Sequence, residues 1–399
     1  MRRQEQVITL LPDYGKRKLL SYADSFKELA DTFLYLTKEE TQALSDCKSR
    51  QDYITQRRMI ENRGLLADHL NEISFIMTRI AEESYRFIRL SDKQMKKISE
   101  VLKNHGIYLD DLYIREARHN QIEITTKMKT VATSTFTIEE IAGVLSVVLN
   151  KRIVPTIGVH AFLTSELQTV IFEEESKYAT LTGMASAIKE CEHQSGDNHS
   201  ILQLNNGTLM ALLSDGMGAG EKAHRDSEEV IELMEKLLEA GFSKEMAIQI
   251  VNGVLIASSE RENMSTLDLC ELDLYTGAVV LLKVGSSLTY VKRKHSTEQL
   301  ESTTLPLGVF SELEVEPITT QVRNGEYIIL ISDGILDAIC QGNFEYELAD
   351  VIQELEIQNP QEMANYLLRY AIEASNGRIK DDMSVLVIGV WDTYGECEK

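Results

Sequence analysis

Long apolar runs are missing from this sequence. The longest stretch free of Asp, Glu, Lys and Arg is Asn198–Ser214, and it contains His199, Gln203 and three Asn. A bilayer span needs about 20 mostly apolar residues, so no membrane span is legible. Residues 1–20 carry five basic residues but no long apolar core, so no signal peptide is evident. Cysteine is scarce. Cys47, Cys191, Cys270, Cys340 and Cys397 are scattered, odd in number and form no C-x-x-C. This argues against disulfides or a zinc site and for reduced thiols in a cytoplasmic protein. Positive charge is in deficit, with 41 Lys+Arg against 63 Asp+Glu and a net charge of −22. Such a surface argues against duplex nucleic acid or an anionic membrane as the main partner. No G-x-S-x-G elbow and no H-E-x-x-H zinc helix occurs. No internal repeat or low-complexity tract stands out.

What is present suffices for a large core: 43% of the 399 residues are hydrophobic, and the length suggests two or three domains. The acidity is uneven. Residues 1–150 hold 23 basic and 22 acidic residues, whereas residues 151–399 hold 18 and 41. The chain is expected to divide into a helical segment at 1–50, a long helix with a small α/β module at 51–165, and a larger domain at 166–399. In the second part, Leu66, Leu70, Ile73, Met77 and Ile80 form a heptad-like stripe on a helix expected over Gln51–Leu90, with Phe87 in the same register. The stripe is a core-facing surface or a dimer seam. Ser91 with Gln94, and Thr137 with Glu140, are capping boxes.

From about Leu167 strands dominate. Paired amphipathic helices are expected at Glu221–Ala240 and Ser243–Ser258, and again at Phe344–Leu355 and Pro360–Ala374. The order β…αα…β…αα…β is an α+β pattern. Acidic residues sit at strand ends within it. One apolar strand ends in Ser214-Asp215-Gly216 and another in Ser332-Asp333-Gly334. Asp381-Asp382 opens a third, and Asp197 follows Ser195-Gly196 in a polar turn. Asp-Gly is a frequent turn dipeptide. If the strands are neighbours, however, the carboxylates converge, and buried unpaired carboxylates are costly. A hard divalent ion such as Mg²⁺ or Mn²⁺ removes that conflict. The rival reading of Gly216-Met217-Gly218-Ala219-Gly220 as a nucleotide loop fits poorly. The spacing is wrong, Asp215 opposes a pyrophosphate, and Lys222 is followed by Ala223 rather than Ser or Thr. His193 and His199 flank Asp197 as proton shuttles or as structural residues.

The ordered set Ser195-Gly196-Asp197-Asn198, Leu213–Ala223, Thr266-Leu267-Asp268, Lys283-Val284-Gly285, Leu305-Pro306-Leu307-Gly308, Ile331–Gly334 and Lys380–Ser384 closely resembles the phosphatase domain of the stage II sporulation protein E family. That domain is of the PPM type (type 2C), whose members are metal-dependent serine/threonine phosphatases. The match covers about Leu167–Trp391, and a looser one covers the helix around Arg63–Glu83 and the segment after it. Members of the family typically also carry a multi-span membrane domain, and no such span is legible here.

The resemblance implies an αββα sandwich, with two antiparallel sheets between helix pairs, preceded by a helical and small α/β regulatory region. It implies two Mn²⁺ or Mg²⁺ ions. Asp215 bridges them, the Gly216 carbonyl joins one of them, Asp197 serves that second ion, and Asp333 and Asp381 serve the first. Asp215 and Asp333 are the carboxylates on which catalysis by a metal-activated water depends. Asp382 stands where the wider family often has Asn, so its ligation stays open, and no counterpart of the family's phosphate-gripping Arg can be placed. The stretch after Gly216, with Gly218, Gly220 and Glu221, leads into a helix pair that acts in the family as a switch. The implied substrate is a phosphorylated regulatory protein, an anti-sigma-factor antagonist in sporulation or stress signalling, with a homodimer formed through the N-terminal helix. The alternatives are an inactive scaffold of the same fold and a hydrolase of small phosphates.

Overall fold

The computed structural model describes residues 2–43, 50–83, 87–88, 90–116, 121–131, 136–156, 161–204, 207–218, 220–257, 264–285, 288–302, 304–310, 313–341 and 348–393. The chain forms two compact units, Met1–Glu175 and Ser176–Lys399.

The first unit opens with α1 (Arg2–Ala43) and α2 (Arg50–Glu83), which pack on each other. Ala23, Ala30 and Thr37 on α1, and Ala67, Ser74 and Ala81 on α2, are buried at seven-residue steps. Steps of seven keep small side chains on one face and let the two backbones approach. The stripe expected on α2 lies beside this seam. Of its members Leu70, Ile73 and Met77 are half-buried, whereas Leu66 and Ile80 stay 42% and 41% exposed, as does Met59 outside the stripe at 49%. The helix also ends earlier than its apolar register suggests. Phe87–Ile88 is β1, paired antiparallel with β2 (Ile107–Glu116). Sheet pairing here overrides helical periodicity.

Next come α3 (Asp92–Asn104), β3 (Ile122–Thr130), α4 (Ile138–Leu149), β4 (Ile153–Pro155) and β5 (Gln168–Glu174). The sheet order is β1-β2-β3-β5-β4. Both capping boxes form, Ser91 with Gln94 and Thr137 with Glu140. Ile98 and Leu102 of α3, Leu145 of α4, and Ile124 and Met128 of β3 share one core with Val170 and Phe172. Because Val170 and Phe172 fill this core, β5 belongs to the first unit. The division therefore falls at Glu175/Ser176, ten residues after the expected 165/166 boundary.

The second unit holds ten strands and five helices among the described residues. They are β6 (Tyr178–Ala187), β7 (Asp197–Leu204), β8 (Thr208–Asp215), α5 (Gly220–Glu239), α6 (Lys244–Ala257), β9 (Leu267–Asp273), β10 (Ala278–Val284), β11 (Thr289–Lys292), β12 (Thr297–Leu300), β13 (Ile318–Gln321), β14 (Glu326–Ile331), α7 (Asp333–Gln341), α8 (Leu348–Glu354), α9 (Pro360–Ala374) and β15 (Met383–Asp392). They make two antiparallel five-stranded sheets, ordered β13-β10-β9-β8-β7 and β12-β11-β14-β15-β6.

Strand alternation distributes the side chains over three layers. Ala211 and Leu213 of β8 face Ile328 and Leu330 of β14 between the sheets. Met210 and Leu212 face outward onto Val230 and Met234 of α5 and Ile248 and Val251 of α6. Ile329 and Ile331 face outward on the other side, onto Ile335 of α7 and Met363 and Leu367 of α9. Burial on both faces explains why these strands are apolar at nearly every position. This is the expected αββα sandwich. One helix was not expected. Asp333-Gly334, taken as a strand-end turn, starts α7, where an acidic residue in the first turn complements the helix dipole. Ile335, Ala338 and Ile339 then supply its buried face.

Candidate functional site

Asp197 opens β7 and Asp215 closes β8, and the hairpin register makes them direct cross-strand partners. Period-two alternation carries Asp215 onto the inter-sheet face two residues beyond Leu213. Like charges placed opposite each other in this way destabilise a sheet. Among the described residues no cationic side chain is paired with either of them. Both carboxylate oxygens of Asp197 are buried without a hydrogen-bond partner. Burial first, and then the charges of Asp382 and Asp333, push its pKa up to about 6. The hydroxyls of Ser384 and Ser332 pull the other way. For Asp215, burial and then Asp197, Asp333 and Asp381 push the pKa up to about 9.

The opposite sheet brings the other two carboxylates. Ser332 N donates to the Ser384 carbonyl at 3.0 Å, and Ser384 N donates to Ser332 Oγ at 2.8 Å. This closes β14 against β15 and sets Asp333 beside the Asp381-Asp382 turn. A Cβ on Gly334 would lie 2.1 Å from the Asp382 carbonyl oxygen, so only glycine lets α7 start this close. Burial, and then Asp381 and Asp337, raise the pKa of Asp333, while the backbone N–H groups of Gly334 and of Asp333 itself oppose the rise. Asp381 is half exposed, and Lys189 Nζ lies 3.4 Å from its Oδ1.

Asp382 has a different place. Its Oδ1 accepts from Lys189 N at 2.9 Å, and its Oδ2 accepts from Gly196 N at 2.7 Å. Both oxygens are thus engaged in bracing the loop that carries Asp197. Gly196 in turn accepts from Gly216 N at 3.1 Å.

Helix α5 is stitched to the same loop. Ser227 Oγ donates to the Gly196 carbonyl at 2.5 Å, Asn198 Nδ2 donates to Ser227 Oγ at 2.8 Å, and His224 Nδ1 lies 2.8 Å from the Ser195 carbonyl. A Cβ on Gly216 would lie 1.9 Å from the Ala223 carbonyl, so the helix backbone rests directly on the Asp215-Gly216 turn. Gly218 and Gly220 have φ of 116° and 72°, Gly218 and Glu221 are exposed, and Ala219 lies outside the described residues. His193 and His199 are exposed, and neither bonds to Asp197. The sequence reading missed His224, Ser227 and Lys189. The available signal for Ser227 was a small polar residue on the buried face of an amphipathic helix.

Among the described residues, no three Asp, Glu, His or Cys side chains close up into a shell that could hold an ion by itself. Mg²⁺ and Mn²⁺ do not require one, since such ions usually keep several waters and take one or two carboxylates each. The donor set is all oxygen, its most buried member lacks a partner, and the whole is over-supplied with negative charge. These residues fit divalent ions.

The fold is that of the PP2C phosphatases. The chain is similar, at 29% identity and a TM-score of 0.57, to the solved PP2C phosphatase domain with a fragment of the regulatory domain of the cell fate determinant SpoIIE from Bacillus subtilis, covering 85% of this chain and 99% of that one. The family profile for stage II sporulation protein E matches residues 205–391, and that for its regulatory domain matches residues 38–174. The chain belongs to the stage II sporulation protein E family. It is 31% identical over 338 residues to that protein of Bacillus subtilis, covering 84% of this chain and 40% of the relative. It is 30% identical over 328 residues to that of Priestia megaterium, covering 82% and 56%. The chain thus spans about half the length of these relatives. Among the described residues, no helix is long and apolar enough to cross a membrane.

Proposed function

We propose that this chain is a Mn²⁺- or Mg²⁺-dependent phosphatase of phosphoserine or phosphothreonine on a regulatory protein, of the anti-sigma-factor-antagonist kind, in the cytoplasm. Asp215 would be shared between two ions, the Gly216 carbonyl and Asp197 would help hold one of them, and Asp333 and Asp381 would help hold the other. The observation that carries this reading is the Asp197–Asp215 cross-strand pair, in which both Asp197 carboxylate oxygens are buried without a hydrogen-bond partner. Divalent ions held there supply positive charge against a phosphate dianion and acidify a water.

The chain's own residues do the rest. Asp382 fixes the Asp197 loop through two backbone N–H groups. Lys189, beside Asp381, offers its ammonium to the incoming phosphate and fills the role for which no arginine could be placed. Helix α5, with Gly218, Gly220 and Glu221 at its approach, governs the Asp197 loop and the Gly216 turn, so a shift of α5–α6 turns the site on or off. The exposed Met59, Leu66 and Ile80 on α2 support a homodimer through that helix.

The test is phosphate release from a phosphorylated antagonist protein with and without Mn²⁺. Turnover that requires Mn²⁺ and greatly exceeds that of free nucleotides supports the reading. Calorimetry with no divalent binding would favour an inactive scaffold instead.

A further inference from the structure

Lys283 and Asp268 are cross-strand partners on β10 and β9, and are 0% and 1% exposed at the side chain. Lys283 Nζ donates to Asp268 Oδ2 and, at 2.7 Å, to Thr289 Oγ1. Thr289, from the facing sheet, donates to the same Asp268 oxygen at 2.8 Å. Asp268 Oδ2 is therefore fully engaged, whereas Oδ1 is buried with no partner at all.

Asp268 pairs in register with Leu213, so it sits one inter-sheet position below Asp215. Between them is a small cavity of about 20 Å³, lined by Asp215, Thr266, Asp268, Ser332 and Asp333 among others. That is room for one water, which needs about 10–15 Å³ and two to four polar partners. Thr266 already touches the upper layer, since its Oγ1 accepts from Asp215 N at 3.0 Å.

A buried ion pair is a poor stabiliser. Two well-packed apolar side chains of similar volume usually serve as well or better. A charged pair under the candidate site, with one oxygen left over on a residue that lines the same small cavity as Asp215 and Asp333, calls for another explanation. We propose that one ordered water in this cavity bridges Asp268 Oδ1 to the carboxylate of Asp215 or of Asp333, making Asp268 and Lys283 positioning residues for the carboxylates that would hold the ions. The water donates one hydrogen to Asp268 and one upward. Lys283 and Thr289 hold Asp268 rigid and offset its charge, so the support adds little further negative charge beneath the site. This inference rests on the metal reading of Asp215.

Two measurements test it. The first compares Mn²⁺ affinity, by calorimetry, between the unaltered protein and the double variant Asp268→Leu/Lys283→Met. The apolar pair removes both charges together and leaves neither stranded. The expected result is an unchanged or raised melting temperature with Mn²⁺ affinity weakened about 10- to 100-fold, as for other outer supports of metal ligands. A folded double variant with unchanged affinity overturns the proposal, because a merely structural pair would give that result. The second measurement is a high-resolution crystal structure of the unaltered protein, needed above all if the double variant fails to fold. A water within hydrogen-bond distance of Asp268 Oδ1 and of Asp215 or Asp333 supports the proposal. A dry cavity overturns it. If the unaltered protein binds no Mn²⁺, the metal reading falls and takes this inference with it. Binding to both proteins alike refutes this inference alone.

Discussion

Asp197 and Asp215 face each other across the β7–β8 hairpin, and the charge of Asp197, after burial, raises the cost of ionising Asp215. Ionised together, the two carboxylates would destabilise the open end of the hairpin, and the fold without a cation therefore favours a protonated Asp215 at neutral pH.

The stability of the metal-free protein follows from the signs of these shifts. The pKa of Asp215 rises from 3.8 in the unfolded chain to about 9 in the fold, and that of Asp197 to about 6. A raised carboxylate pKa stabilises the fold only while the group stays protonated, so stability is lost as pH rises through this window. The melting temperature of chelator-treated protein is expected to be lowered by these two groups progressively between about pH 4 and pH 9, and saturating Mn²⁺ is expected to remove most of that slope. A flat profile without metal would contradict the assignment.

Asp215→Asn removes a charge that the fold resists. The metal-free variant is expected to melt higher than the unaltered protein near pH 8 and to lose turnover by more than the 10- to 100-fold typical of outer supports. Thermal melts and phosphate release, run on the same preparation, check both halves.

Asp382→Ala strands the N–H groups of Lys189 and Gly196, both now paired with its carboxylate. Only the Gly196 donor is fully buried, and stranding it costs about 1–3 kcal/mol, whereas the half-buried Lys189 N–H can turn to water. Denaturant titration should report a loss of that size, and Mn²⁺ should bind more weakly because the Asp197 loop is no longer held.

Lys189→Met takes a cation from beside Asp381. A rise in KM for the phosphoprotein, with metal affinity unchanged or tighter, is the expected pattern in steady-state kinetics and calorimetry. Weaker metal binding with unchanged KM would argue that Lys189 only orders the loop.

Leu66→Asp with Ile80→Asp alters two positions already open to solvent on α2. Little change in melting temperature is expected, together with a mass by light scattering that drops from dimer to monomer.

Much of this architecture was legible in the sequence because burial on both faces makes the sandwich strands continuously apolar and the outer helices amphipathic in pairs. The caps at Ser91 and Thr137 were legible for a local reason, since a capping box is closed by residues three apart. What was missed depends on long-range placement. Val170 and Phe172 carry an alternating pattern that fits either unit, and only pairing with β3 and β4 assigns them to the first core. Asp333-Gly334 is compatible with a turn and with a helix start, and contact with Asp382 decides for the helix. The acidic strand ends Asp197, Asp215, Asp333 and Asp381 stood out by context. The brace role of Asp382 did not, because its two partners lie nearly two hundred residues away and are backbone groups without a side-chain signature.

The most direct measurement is phosphate release from a phosphoserine-bearing antagonist protein, followed with Mn²⁺ added or chelated, for the unaltered chain and for Asp215→Asn. The account predicts turnover that appears with Mn²⁺, disappears on chelation and is absent in the well-folded variant. Equal metal-dependent turnover by Asp215→Asn would contradict it.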